Sequence, residues 1–119
     1  MEPFVLSYKE GLALLNGTSS PTALAAVAVY DLLKAVESAD LVAAMSFEML
    51  GGLLRAYDES VLNCRPQKEL LDTADIIKRM LHGSQVTTKA EGTHVQDPLS
   101  LRCIPQLHGA VKKTLRDAW

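Results

Sequence analysis

Arg102 lies in the run QDPLSLRC (residues 96–103), and of the side chains in that run it is the one best suited to gripping an anion. A guanidinium is a planar fork of five N–H donors that matches a carboxylate through two parallel hydrogen bonds. Gln96, at the start of the run, and Asn16, inside GLALLNGT (residues 11–18), each add a carboxamide that donates and accepts. Pro98 stiffens the backbone between Gln96 and Arg102. Together the three groups could orient the charged end of an amino acid. Two structural alternatives stand beside that reading: Arg102 pairs with Asp97, and Asn16 satisfies only its own turn. Asn16, Gln96 and Arg102 are therefore candidate binding residues, and no side chain is assigned a catalytic role.

Other reactive side chains offer less. His108 falls one turn into the last helical pattern and reads as a packing or hydrogen-bonding residue, with no carboxylate partner visible in the sequence. His82 lies at a helix end, where the dipole favours it, and His94 lies in a loop. Cys64 and Cys103 are too far apart for a CxxC site and too few for a disulfide framework, which points to a reducing compartment. HExxH, Walker, GxGxxG and GxSxG motifs are absent from the sequence, as is any Cys/His cluster at metal-ligand spacing, so no metal site is expected. Asn16-Gly17-Thr18 matches a glycosylation sequon but reads as a tight turn.

These groups must be carried by helices. Residues 1–20 read as a loop or short helix around Leu12 to Leu15, then a loop. Ser20 before Pro21 is a helix start signal. Over residues 22–45 the apolar positions, among them Leu24, Val27, Leu32, Val36 and Ala43, follow a 3.6 period and predict a long helix. Its stripe is unusually wide, because Ala25, Val29, Leu33 and Leu41 add apolar surface on other faces, and such a helix needs neighbours on most sides. Ser46 is read as the cap of a second run over residues 47–57, with a break or close contact at Gly51 and Gly52. A third pattern starts at Arg65-Pro66, places Leu70, Ala74, Ile77 and Leu81 on one face, and stops at Gly83. Residues 84–104 have no sustained period and are expected to form one long polar loop, which in a compact domain is more often functional than idle. Pro105 opens a last helix whose pattern runs to Trp119 without a stop signal, so the chain is read as an internal segment of a longer one.

Composition narrows the function further. The 119 residues carry 12 Lys plus Arg against 14 Asp plus Glu, a net charge of −2, and are 48% hydrophobic, which fits a folded domain. That balance supplies no basic field for nucleic acid or an anionic membrane. Asp31, Lys34, Glu37, Asp40 and Glu48 interrupt the apolar stretch over residues 22–54, so a membrane span is not expected. The opening Met-Glu-Pro-Phe-Val-Leu-Ser lacks the features of a secretory signal, making cytoplasmic placement the expectation. Six aromatic residues and much alanine make a thin core, so residues 1–119 are read as one partial helical domain that associates with further copies.

GLALLNGT, followed at a distance by QDPLSLRC and by PQ and HGA within residues 105–110, resembles the aromatic amino acid ammonia-lyase family. The RC-PQ-HGA ending is similar to its histidine ammonia-lyase branch more than to its phenylalanine branch. The resemblance extends over Lys9-Glu10, the serine-rich helix entrance, Asp58 to Arg65-Pro66, His82-Gly83-Ser84 and the loop into Gln96. It implies an all-α fold, a long-helix bundle of the fumarase/aspartase-like superfamily, assembled as a homo-oligomer (a tetramer) with active sites shared between subunits. The implied reaction removes ammonia from an L-amino acid, L-histidine first, to leave an unsaturated acid, as in histidine catabolism. Its electrophile is a methylidene-imidazolone (MIO) formed from an internal Ala-Ser-Gly, a tripeptide absent from this sequence. By the same resemblance Asn16 contacts the prosthetic group and the substrate's amino-acid end, Gln96 lies near the prosthetic group, and Arg102 clamps the carboxylate.

Two positions depart from the family pattern. Leu99 stands where the family has a tyrosine associated with proton chemistry, and leucine can neither donate nor accept a proton. The family's Arg-Pro-His-x-Gly-Gln reads here Arg65-Pro66-Gln67-Lys68-Glu69-Leu70, which lengthens the third helix. The segment by itself is expected to be inactive. The alternative is a lyase-like oligomer that has lost catalysis and serves a structural or ligand-binding role.

Overall fold

The computed structural model describes residues 2–119 and is all helical, with no strand among the described residues. Helix α1 (Glu10–Asn16) leads into the 31-residue α2 (Ser19–Met49). A 3₁₀ turn (Leu54–Tyr57) and the short α3 (Glu59–Leu62) follow, then α4 (Lys68–Met80), α5 (Gln85–Ala90), α6 (Leu99–Arg102) and α7 (Ile104–Ala118).

The long helix begins one residue before the expected cap. Thr18 takes a left-handed conformation (φ 50°), and both the amide and the hydroxyl of Thr22 reach back to its carbonyl, at 3.0 and 2.8 Å. That closes the first turn at Ser19, so Ser20 is not the cap. Pro21 sits in the first turn, where an amide has no intrahelical partner to lose. Ser46 does not start a second helix either. Its carbonyl accepts from the Leu50 amide at 3.0 Å, an ordinary intrahelical bond, and α2 runs on to Met49. The break comes at the glycines: Gly51 adopts φ 65°, and a Cβ on Gly52 would collide with the Phe47 ring. The residues after the break form only the 3₁₀ turn.

The expected polar loop over residues 84–104 contains α5 and α6. Ser84 caps α5, its hydroxyl accepting from the Val86 and Thr87 amides at 3.2 and 3.4 Å. The Pro98 carbonyl accepts from the Leu101 and Arg102 amides and starts α6. Helices of six and four residues are too short to show a period, which is why periodicity does not reveal them.

The core sits at one end of the molecule, where the C-terminal part of α2 meets α4 and α7. Phe47, Tyr57, Leu70, Ala74, Ile77 and Ile104 are among its buried residues. Phe47 and Tyr57 stack at a tilt, with ring centroids 5.3 Å apart. Gly109 brings α7 against the backbone of Leu70, where an added Cβ would lie 2.7 Å from the Leu70 Cα. A polar cluster ties the three helices together beside this contact. Asp40 of α2, only 2% exposed, accepts from His108 Nδ1 at 2.8 Å and from the Lys112 ammonium, which also donates to Thr73 Oγ1 at 2.8 Å. His108 therefore has the carboxylate partner that the sequence alone did not reveal, and its role is the hydrogen-bonding one.

The other end is bare. Of the 31 residues of α2, only Asp40, Ala44 and Phe47 are buried, all in its last third. The molecule extends 75 × 33 × 20 Å with a radius of gyration of 22.0 Å, against about 13.5 Å for a compact chain of this length. Among the described residues one segment, Glu10–Met49, is long and apolar enough to cross a membrane, a test that core helices also pass.

Candidate functional site

Gln96 and Arg102 come together. Both line a cavity of about 450 Å³ whose walls are the 3₁₀ turn, α3, α6 and the start of α7. Leu53, Ala56, Val61 and Leu99 form its apolar side, and Arg55, Asp97, Cys103 and Gln106 complete the rim. A mostly apolar hollow with a few convergent polar groups is the usual form of a small-molecule site.

The backbone around these two residues is fixed by distant partners. Asp97 is buried, and its Oδ2 accepts from the Leu53 amide at 2.6 Å while Oδ1 lies 2.7 Å from His94 Nε2. Both carboxylate oxygens are thus spent on the loop and the turn. Arg102 does not pair with that carboxylate; its Nε donates to the Asp97 main-chain carbonyl at 2.8 Å. This anchors the stem of the guanidinium and leaves the terminal nitrogens as a planar fork of donors at the cavity. Tyr57 donates to the Leu101 carbonyl at 2.7 Å from within the core and so holds α6 in place. Burial, with Asp97 and Cys103 adding to it, pushes the Tyr57 phenol well above its ordinary value.

Asn16 is elsewhere. It ends α1, before the first residue of α2, whereas Leu53 and the cavity lie beyond the last. A 31-residue helix is about 46 Å long, so one copy of the chain cannot bring Asn16 to Arg102. Asn16 is also exposed, as is Gln96. Leu99 opens α6 on the cavity wall, 65% exposed, and presents only hydrocarbon there.

Sequence reasoning passed over Asp97, Arg55 and Tyr57 as site-building residues, and Asp40 as a core residue. Asp40 had a signal: it occupies the apolar register of Val36, Ala43, Ala44 and Phe47, and an acid in such a stripe requires a buried partner. Arg55 and Tyr57 had none, because their partners are main-chain carbonyls about forty residues away, at separations of 39 and 44.

The chain is all helical, and Gln96 and Arg102 line one mostly apolar cavity in it. Comparison with known proteins names the family. The family model for aromatic amino acid lyase matches residues 1–119, and the chain belongs to that family. It is 46% identical over 110 residues to a histidine ammonia-lyase of Streptococcus pyogenes serotype M6, covering 92% of this chain and 21% of that protein. A histidine ammonia-lyase of Alkaliphilus oremlandii is 42% identical over 116 residues, 98% of this chain and 23% of the relative. The chain thus spans about a fifth of the length of these curated relatives. No solved structure matches it.

Proposed function

We propose that this chain is the substrate-positioning segment of an ammonia-lyase that eliminates ammonia from L-histidine. The observation that carries the reading is the shared cavity of Gln96 and Arg102, with Arg102 tethered through Nε and its fork left for a carboxylate. In the elimination the Cα–N bond breaks, a proton leaves Cβ, and a carbon–carbon double bond forms. Arg102 holds the acid end of the zwitterion, and the apolar wall excludes water from the side chain. Asn16, being about 46 Å away along α2, serves a cavity on another copy in this reading, which makes the active unit a homo-oligomer.

An MIO group formed elsewhere in the full-length chain would supply an electrophile for the substrate. The donor set fits it in kind: the exposed carboxamides of Asn16 and Gln96 are neutral donors that can face a carbonyl-bearing ring without placing a charge on it. The 119 residues alone, lacking Ala-Ser-Gly, have no source for the group and are inactive in this reading.

A second reading has its own observation. Leu99 on the cavity wall offers no proton donor or acceptor, which favours a lyase-like protein that binds amino acids without turnover. One assay separates the two. Full-length protein incubated with L-histidine releases ammonia and gains the ultraviolet absorbance of a conjugated acid if it is a lyase. Tight binding of L-histidine without either signal, together with activity gained on Leu99→Tyr, assigns the second reading instead. Absence of binding and turnover together rejects both.

A further inference from the structure

We propose that Arg55 is a positioning residue for the half-site formed by Gln96 and Arg102, an inference that rests on the reading of those two residues as substrate contacts. Arg55 stands in the 3₁₀ turn that follows the Gly51–Gly52 break. Its Nη2 donates to the carbonyls of His94, at 3.1 Å, and Val95, the two residues directly before Gln96. On the other side of Gln96, Asp97 accepts from the Leu53 amide at 2.6 Å. Gln96 is thus gripped on both flanks by one short turn, residues 53–55, roughly forty positions earlier in the chain. Both grips are on the loop's own framework, the carbonyls before Gln96 and the carboxylate after it, so the carboxamide itself remains available to the cavity it lines.

The loop needs such a brace. Between α5 and α6 it forms neither helix nor strand, and Gly92 turns it through φ 83°. Arg55 is also separable from the fold in a way that its neighbours are not. Tyr57 pins Leu101 from inside the core, and Asp97 is buried, whereas the Arg55 side chain is exposed on the cavity rim, spends Nη2 on the two carbonyls and buries nothing in the core. Its removal frees the carbonyls of His94 and Val95 and leaves the α2–α4–α7 packing intact.

The test compares full-length wild type, Arg55→Ala and Arg55→Lys by amide exchange over residues 91–98, by kcat/KM for L-histidine and by melting temperature. Arg55→Ala is expected to speed exchange in that segment alone and to lower kcat/KM roughly 10- to 100-fold, the penalty of an ångström-scale misplacement, with Tm nearly unchanged. Arg55→Lys, which keeps a charged donor but not the fork, restores part of both. Unchanged exchange in Arg55→Ala overturns the proposal, and so does faster exchange throughout the molecule with a fallen Tm. If wild type neither binds nor deaminates L-histidine, the functional reading fails and exchange alone decides the role of Arg55: local loosening reversed by lysine sustains it, and no loosening refutes it.

Discussion

Arg102 shows how one side chain can be both tethered and available. A bond from Nε to the Asp97 carbonyl fixes the plane of the guanidinium, and in the proposed site the terminal nitrogens would meet a carboxylate with little rotamer freedom left to lose. Arg102→Lys keeps the charge and removes the fork. In the full-length protein it should raise KM for the amino acid about 30-fold or more, the equivalent of roughly 2 kcal/mol for a charged hydrogen bond lost, with a smaller change in kcat. Steady-state kinetics at fixed pH checks this. Tyr57 makes a second residue-scale prediction. Its phenol stays protonated in the fold above the 10.0 at which an exposed tyrosine ionises. Its contribution is therefore complete below pH 10.0 and declines as pH rises beyond it, since the unfolded chain then releases a proton that the fold retains. Tyr57→Phe orphans the buried Leu101 carbonyl and should cost about 1–3 kcal/mol at neutral pH, while flattening the alkaline loss of stability measured by denaturant titration. The types of the three binding candidates were legible in the sequence because a guanidinium and two carboxamides announce their chemistry. The residue Arg102 meets, Asp97, was legible as well, but the group was not, because the bond goes to its main-chain carbonyl and a carbonyl belongs to every residue.

At the scale of helices, periodicity located α2, α4 and α7, each long enough for an apolar stripe to repeat several times. It misplaced the boundary at Ser46, since a serine caps a helix only where the chain has another reason to end, and the true stop was the glycine pair five residues on. It could not find α5 and α6 at all. Where α7 crosses α4, the approach is set by Gly109 against the Leu70 backbone rather than by interdigitating side chains. Gly109→Ala would put its Cβ 2.7 Å from main-chain atoms that cannot rotate away, so the helices must part. A loss of about 2–3 kcal/mol is expected in chemical denaturation, as for overpacking of a close-packed core. A stability equal to or above wild type would show that the contact is looser than described. The same crossing carries the bonds from Asp40 to His108 and Lys112, which register α2 against α7 through the cluster's one carboxylate.

The whole molecule is extended and leaves much apolar surface open. Its surface of 8806 Å² exceeds by about 2,500 Å² the area of a compact protein of 12.9 kDa, and that excess matches what obligate assemblies bury. Leu24, Val27 and Tyr30 lie open along α2, with Phe4, Tyr8 and Leu15 before it. The wide apolar stripe was legible as a demand for neighbours, although the sequence does not say which surfaces meet. Light scattering on the isolated chain should report association in the micromolar range without lipid, and a stable 12.9 kDa monomer up to millimolar concentration would contradict the proposed assembly. In the proposed assembly the amino-acid grip is divided between copies, with Arg102 and Gln96 from one and Asn16 from another. A structure of the full-length protein with L-histidine bound tests it most directly. The ligand carboxylate is expected on the terminal nitrogens of Arg102, with Gln96 of the same copy and Asn16 of a neighbouring copy lining the same site. Arg102 facing solvent, or Asn16 of every copy remote from every bound ligand, would contradict it.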